Sequence, residues 1–182
     1  ASHMLDAVAT AHNMELKETP VGFSYLGRAL RDGALIAGEE SGGLSIAGHI
    51  PEKDAILAIL LLLDLLATKG ASLTELWREF CQQFGQTVFE RLDIELSAGK
   101  IAELIDRAKA LADEGTFMEQ SVSEVISIDG VKLVLESGSW VLFRQSGTEG
   151  VLRVYIEAPD QRAFSLLRKS VVDYLHDYAA AP

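Results

Sequence analysis

Cysteine is nearly absent. Cys81 is the only one in 182 residues, so no internal disulfide can form, and the chain fits a reducing, cytoplasmic compartment. It lies in the helical run Leu76-Trp77-Arg78-Glu79-Phe80-Cys81, where core packing is a better reading than nucleophile. Long hydrophobic runs are also missing. The longest, Ala55 to Leu63, stops at Asp64, far short of the ~20 residues a membrane span needs, so no membrane partner is expected. Positive charge is scarce: 16 Lys and Arg stand against 27 Asp and Glu, a net charge of −11. That argues against a general nucleic-acid or anionic-membrane surface. His12, His49 and His176 lack metal-ligand spacing, and no metal site is expected. No signal peptide, internal repeat or low-complexity segment is visible. Residues 1–4, Ala-Ser-His-Met, read as a cloning scar and are set aside.

What is present is 48% apolar, enough for one good core or two small ones. Helices are predicted over residues 5–13 and 22–32, with an extended piece at 15–18. Ala34-Leu35-Ile36-Ala37-Gly38, bounded by glycines, reads as a buried strand. A helix over 52–69 is stopped by Gly70 and is apolar nearly all round, which predicts burial between layers. The next, over 72–84, opens on Ser72 with Glu75 three residues on, a capping box. Trp77, Phe80 and Phe84 share one of its faces and read as core.

The second half has another texture. A connecting strand at 87–96 and a helix at 98–111 precede two apolar runs flanking Asp129-Gly130, a hairpin signal. Strands at 140–143 and 151–157 follow. Alternation puts Leu152, Val154 and Ile156 on one face and Arg153, Tyr155 and Glu157 on the other. A closing helix over 160–178 covers one side of the sheet. The division expected is a partial α/β layer domain (5–85), a hinge (86–95) and a C-terminal domain (96–182).

Two loops concentrate polar chemistry. Arg144-Gln145-Ser146-Gly147-Thr148 combines a guanidinium fork, two hydroxyls and a glycine able to form an anion nest, with Arg153 nearby. The residues favour phosphate binding over a polar hairpin turn that satisfies only its own backbone. Gly38-Glu39-Glu40-Ser41-Gly42-Gly43 offers carboxylates and a hydroxyl at the end of a strand, suited to vicinal sugar hydroxyls, but taken alone it is equally a solvated turn. Lys53, between Glu52 and Asp54, reads locally as a solvated helix-end charge, and His49 as structural. Trp140 shares a strand face with Arg144 and reads as core, with cleft lining the other reading.

These loops, with Glu18-Thr19-Pro20-Val21-Gly22-Phe23 and His49-Ile50-Pro51-Glu52-Lys53-Asp54, occur in an order that resembles the C-terminal half of an α-D-phosphohexomutase of the phosphoglucomutase/phosphomannomutase type. The resemblance covers nearly the whole chain. It implies most of a third, mixed α/β layer domain, and all of a fourth, α+β domain with a TATA-binding-protein-like antiparallel sheet and helices on one face. The implied activity interconverts hexose 1-phosphate and 6-phosphate, of glucose or mannose, through a hexose 1,6-bisphosphate. Position by position, it implies sugar contacts at Glu39, Ser41, Thr19 and Gly22, and proton transfer at Lys53. It assigns the non-transferring phosphate to Arg144, Ser146, Gly147, Thr148 and Arg153. Gln145, Gly150 and Ser24 depart from the family pattern, the last removing a lysine. The resemblance also implies a phosphoserine and an Asp-rich Mg²⁺ loop in N-terminal domains. No Asp-x-Asp-x-Asp run occurs here, so the fragment is expected to hold no cofactor and to be inactive alone. A non-catalytic sugar-phosphate sensor is the alternative.

Overall fold

Asp54, Ser72 and Asp160 each start a helix by accepting from its first free amides, and Gly70 and Gly85 end two. The computed structural model describes residues 2–147 and 150–179, which divide into two compact units, Ala1–Gly85 and Gln86–Pro182.

The first unit runs α1 (Met4–Ala11), α2 (Phe23–Arg31), β1 (Ile36–Gly38), β2 (Leu44–Ile46), α3 (Ala55–Lys69) and α4 (Leu73–Phe84). α1 begins at Met4, the last residue of the stretch set aside as a scar. Residues 15–18, expected to be extended, form no regular element. β1 and β2 pair antiparallel, Ile36 opposite Ile46 and Gly38 opposite Leu44. α2 packs on β1, and Gly27 lets it lie against the loop before α3. A Cβ at Gly27 would stand 2.2 Å from the Pro51 carbonyl oxygen. Asp54 caps α3 by accepting from the Ile56 and Leu57 amides, so the helix starts three residues later than predicted. Gly70 closes it at φ +61°. In α4 both halves of the Ser72/Glu75 capping box form.

Three expectations for this unit fail. The buried strand is only partly buried: Ala37 is covered, while Ile36 is 64% exposed. α3 is not sandwiched, and none of its residues is buried, with Ile56 71% exposed. The reason is layer count. Among the described residues this unit has a two-stranded hairpin of three-residue strands, too little sheet to cover a 15-residue apolar helix. Trp77 stacks on Phe80 at 5.6 Å between centroids, yet stays mostly exposed rather than entering a core, and Cys81 is half-buried. Among the described residues no single helix is long and apolar enough to cross a membrane. α3 and α4 together have the length and composition but are bent by 86°.

The second unit is a six-stranded antiparallel sheet in the order β3-β8-β7-β6-β5-β4, with two helices. Its elements are β3 (Val88–Glu95), α5 (Ala98–Asp113), β4 (Thr116–Phe117), β5 (Gln120–Ile126), β6 (Val131–Leu135), β7 (Trp140–Gln145), β8 (Val151–Ala158) and α6 (Gln161–Ala179). The expected hinge at 86–95 is corrected: β3 pairs with β8 along its whole length, from Val88 opposite Ala158 to Glu95 opposite Val151. Eight paired residues make it a structural edge of the sheet, not a linker.

The predicted alternation holds. Leu152, Val154 and Ile156 are buried with Leu133, Val141 and Phe143 against Ile101 and Leu104 of α5 and Leu167, Val171 and Tyr174 of α6. Phe117, Phe143 and Tyr174 meet edge-on or tilted, 5.4–5.8 Å apart. The opposite face is buried as well at Tyr155, Glu157, Trp140 and Lys132. There the Trp140 indole donates to Glu157 Oε1 at 3.0 Å, and Lys132 Nζ lies 4.7 Å from the indole centroid. Trp140 is therefore buried, but on the face away from the helices.

Candidate functional site

In the first unit, the turn between β1 and β2 folds Glu39 back on itself. Its amide donates to the Gly43 carbonyl at 3.0 Å, and its carbonyl accepts from the Gly42 amide. The carboxylate Oε1 accepts from Ser41 Oγ at 2.7 Å and from Lys53 Nζ at 3.0 Å. Gly43 makes room for this: a Cβ there would stand 2.7 Å from Glu39 Oε1 and 3.1 Å from Lys53 Cδ. The Ser41 hydrogen bond, and behind it the hydrogen bond and charge of Lys53, outweigh desolvation and lower the Glu39 pKa, keeping it ionised.

The next loop is fixed from below. Buried Ser45 donates to the Ile50 carbonyl at 2.7 Å, and the Asp54 amide donates to Leu44. His49 Nε2 lies 2.9 Å from Asp54 Oδ2, the oxygen not used in capping α3. Those contacts lower the Asp54 pKa, the His49 hydrogen bond first. Glu39, Ser41 and Lys53, separate in sequence, thus meet in one cluster. Thr19 and Gly22 sit just before α2, with Thr19 Oγ1 donating to the Pro20 carbonyl at 3.2 Å and Gly22 at φ +133° as the N-cap. Neither bonds to the cluster.

In the second unit, β7 and β8 carry the other loop. Arg144 lies directly opposite Arg153 in the register, so two guanidinium side chains leave neighbouring strands on one face. Arg144 is only 8% exposed. Its Nε donates to Asp129 Oδ2 at 2.7 Å, and its NH1 is buried with no hydrogen-bond partner among the described residues. Arg153 Nε lies 4.0 Å from Asp93 Oδ1, and Asp93 also accepts from Arg91 at 3.1 Å. Ser146 is buried, and its amide donates to the Val151 carbonyl, closing the loop's neck. Gly150 reaches the Leu96 amide with its carbonyl at 3.1 Å, and Gly147 is exposed. Thr148 lies outside the described residues.

Residues 1–84 match the family model "Phosphoglucomutase/phosphomannomutase, alpha/beta/alpha domain III", and residues 95–173 that of "Phosphoglucomutase/phosphomannomutase, C-terminal domain". The chain belongs to the phosphoglucomutase/phosphomannomutase family. Phosphoglucomutase-2 of Paramecium tetraurelia is 32% identical over 88% of the chain, and Phosphoglucomutase-1 of Bos taurus 30% over 86%. The chain spans about a third of the length of these relatives. Among solved structures, the open form of the Paramecium phosphoglucomutase pp63/parafusin superposes with a TM-score of 0.77 at 27% identity, covering 98% of this chain and 36% of that one. A putative phosphomannomutase from Thermus thermophilus gives 0.70 at 30% identity, covering 95% and 35%.

Family membership fits the order of the two units, a mixed α/β unit followed by an antiparallel sheet with helices. Phosphoglucomutase relatives imply Mg²⁺ for the full-length enzyme. Among the described residues no three His, Cys, Asp or Glu side chains converge, and Glu39 is engaged by Lys53 and Ser41. Sequence reasoning missed Asp129, Asp93 and Asp54 as partners. Asp129 was visible only as half of a turn signal, and its second role depends on pairing across the sheet.

Proposed function

We propose that this chain is the substrate-holding part of a phosphohexomutase. On this reading the loop after β7 binds the non-transferring phosphate of a hexose phosphate, and the Glu39 turn binds sugar hydroxyls. One observation carries it: Arg144 faces Arg153 directly across β7 and β8, with the buried Arg144 NH1 unsatisfied among the described residues. Like charges directly opposite on a sheet repel, and a buried donor without an acceptor costs stability. A phosphate between the two guanidinium groups relieves both, and Ser146 and Gly147 follow in the turn to add a hydroxyl and an approachable backbone. Thr148 belongs to the same proposal from sequence.

The first unit supplies the sugar side. Glu39 is held ionised as an acceptor for hydroxyls, with Ser41 beside it. Lys53 Nζ is within reach of the same carboxylate, where it orients Glu39 and can pass a proton at its Nζ. Thr19 and Gly22 join this side on resemblance. Glucose and mannose phosphates, as 1-phosphate, 6-phosphate or 1,6-bisphosphate, are the ligands. The chain contributes positioning and electrostatics, and phosphoryl transfer itself rests with a phosphoserine and Mg²⁺ on N-terminal domains, leaving this portion inactive alone. A cytoplasmic setting goes with the same proposal, supported by the unpaired Cys81.

Titrating glucose 1-phosphate against the wild-type chain and Arg144→Ala tests it. Wild type should bind, and the variant should lose about tenfold or more in affinity, one charged hydrogen bond's worth. Equal binding, or none in either, refutes the phosphate assignment.

A further inference from the structure

We propose that Asp129 is a positioning residue for phosphate capture, holding the Arg144 guanidinium in the orientation the ligand meets. The proposal rests on the phosphate-binding reading of the loop above.

Asp129 does not come from the loop. It sits at the turn between β5 and β6, 15 residues before Arg144, and reaches it because that turn is pressed onto β7. The pressing is visible at the next residue. Gly130 has φ +84°, and a Cβ on it would stand 2.2 Å from the Phe143 carbonyl oxygen and 3.0 Å from Arg144 Cα. Only glycine fits both the backbone conformation and the gap. The tight approach sets Asp129 Oδ2 2.7 Å from Arg144 Nε, in the range of a charge-assisted hydrogen bond.

A guanidinium has one Nε–H and two terminal NH₂ groups in a rigid plane. With Nε fixed, the plane is fixed, and the terminal groups are committed to one direction, while NH1 has no partner among the described residues. The Arg144 side chain is far more buried than that of Asp129, 10% against 31% exposed. The carboxylate therefore anchors an arginine that has little room for other rotamers. The anchor also moderates the repulsion between Arg144 and Arg153 while no phosphate is bound. Phosphate then meets a preformed donor edge and spends less affinity on ordering it.

Two variants separate positioning from bulk charge. Asp129→Ala removes the acceptor, whereas Asp129→Asn retains an amide oxygen at the same place. Glucose 1-phosphate affinity should fall about tenfold in Asp129→Ala and no more than about threefold in Asp129→Asn. The NMR signal of the Arg144 Nε–H should be sharp and exchange-protected in wild type and Asp129→Asn, and broadened or lost in Asp129→Ala. A merely structural role would lower thermal stability in both variants without this split. Unchanged or tighter binding in Asp129→Ala overturns the proposal, as does equal loss in both variants. If Asp129→Ala does not fold, a signal in Asp129→Asn as mobile as a solvent-exposed arginine's overturns it. Failure of wild type to bind removes the phosphate reading itself. Wild-type binding with an indifferent Asp129→Ala removes only the positioning role.

Discussion

The Tyr174 hydroxyl donates to the Leu104 carbonyl at 2.5 Å, tying α6 to α5 beneath the sheet of the second unit. Both residues are buried, and Tyr174 also meets Phe117 and Phe143 edge-on or tilted. Tyr174→Phe keeps the rings and removes the tie. Because a helical carbonyl such as that of Leu104 keeps other hydrogen bonding, the cost should be about 1 kcal/mol. Thermal unfolding followed by near-ultraviolet circular dichroism should show the second unit's midpoint a few degrees lower.

Gly130→Ala meets backbone, not a flexible side-chain end, and demands a positive φ of a residue with a Cβ. The β5–β6 turn would have to lift from β7. A loss of ~2–4 kcal/mol is expected, readable as a lowered denaturation midpoint.

Arg153→Leu should separate stability from ligand binding. Removing one of two facing cations relieves repulsion, so the unliganded protein should stay within about 1 kcal/mol of wild type. On the proposed phosphate reading, glucose 1-phosphate at a hundred times the wild-type Kd would stabilise wild type by ~2.7 kcal/mol, and a tenfold weaker variant by only ~1.4 kcal/mol. Differential scanning calorimetry with and without ligand measures both.

Glu39 titrates below its usual value, so its folded-state interactions contribute stability above the ordinary carboxylate pKa. That contribution fades as pH falls through the lowered value, when the protonated acid releases Lys53. Ser41→Ala and Lys53→Ala should each raise the Glu39 pKa, because each removes a hydrogen bond that lowers it. Carbon-detected NMR titration of the Glu39 side-chain carboxyl gives both shifts, and an unchanged pKa in either variant would contradict this account.

Local chemistry made elements of both units readable. The hairpin at Asp129-Gly130, the alternation in β8 and the capping box of α4 each depend on residues close in sequence, and each formed, the hairpin with a loop widened to residues 127–130. What failed depended on neighbours far away. β3 looked like a connector because its pairing to β8 spans some sixty residues, and α3 looked sandwiched because composition cannot say how many layers surround a helix. The site divides the same way. Arg144 and Ser146 were legible as a loop, whereas Asp129 and the Lys53–Glu39 contact arise only on folding.

The bare apolar flank of α3 bears on the Glu39–Ser41–Lys53 cluster through one residue. Asp54 both caps that helix and engages His49, and it directly follows Lys53, which holds Glu39. Fraying of α3 would therefore loosen the cluster, and any surface that dries the helix would tighten it. Order in the Glu39 turn and burial of the helix become linked equilibria, so the sugar binding proposed for that turn would register as weaker on this chain alone than with α3 covered.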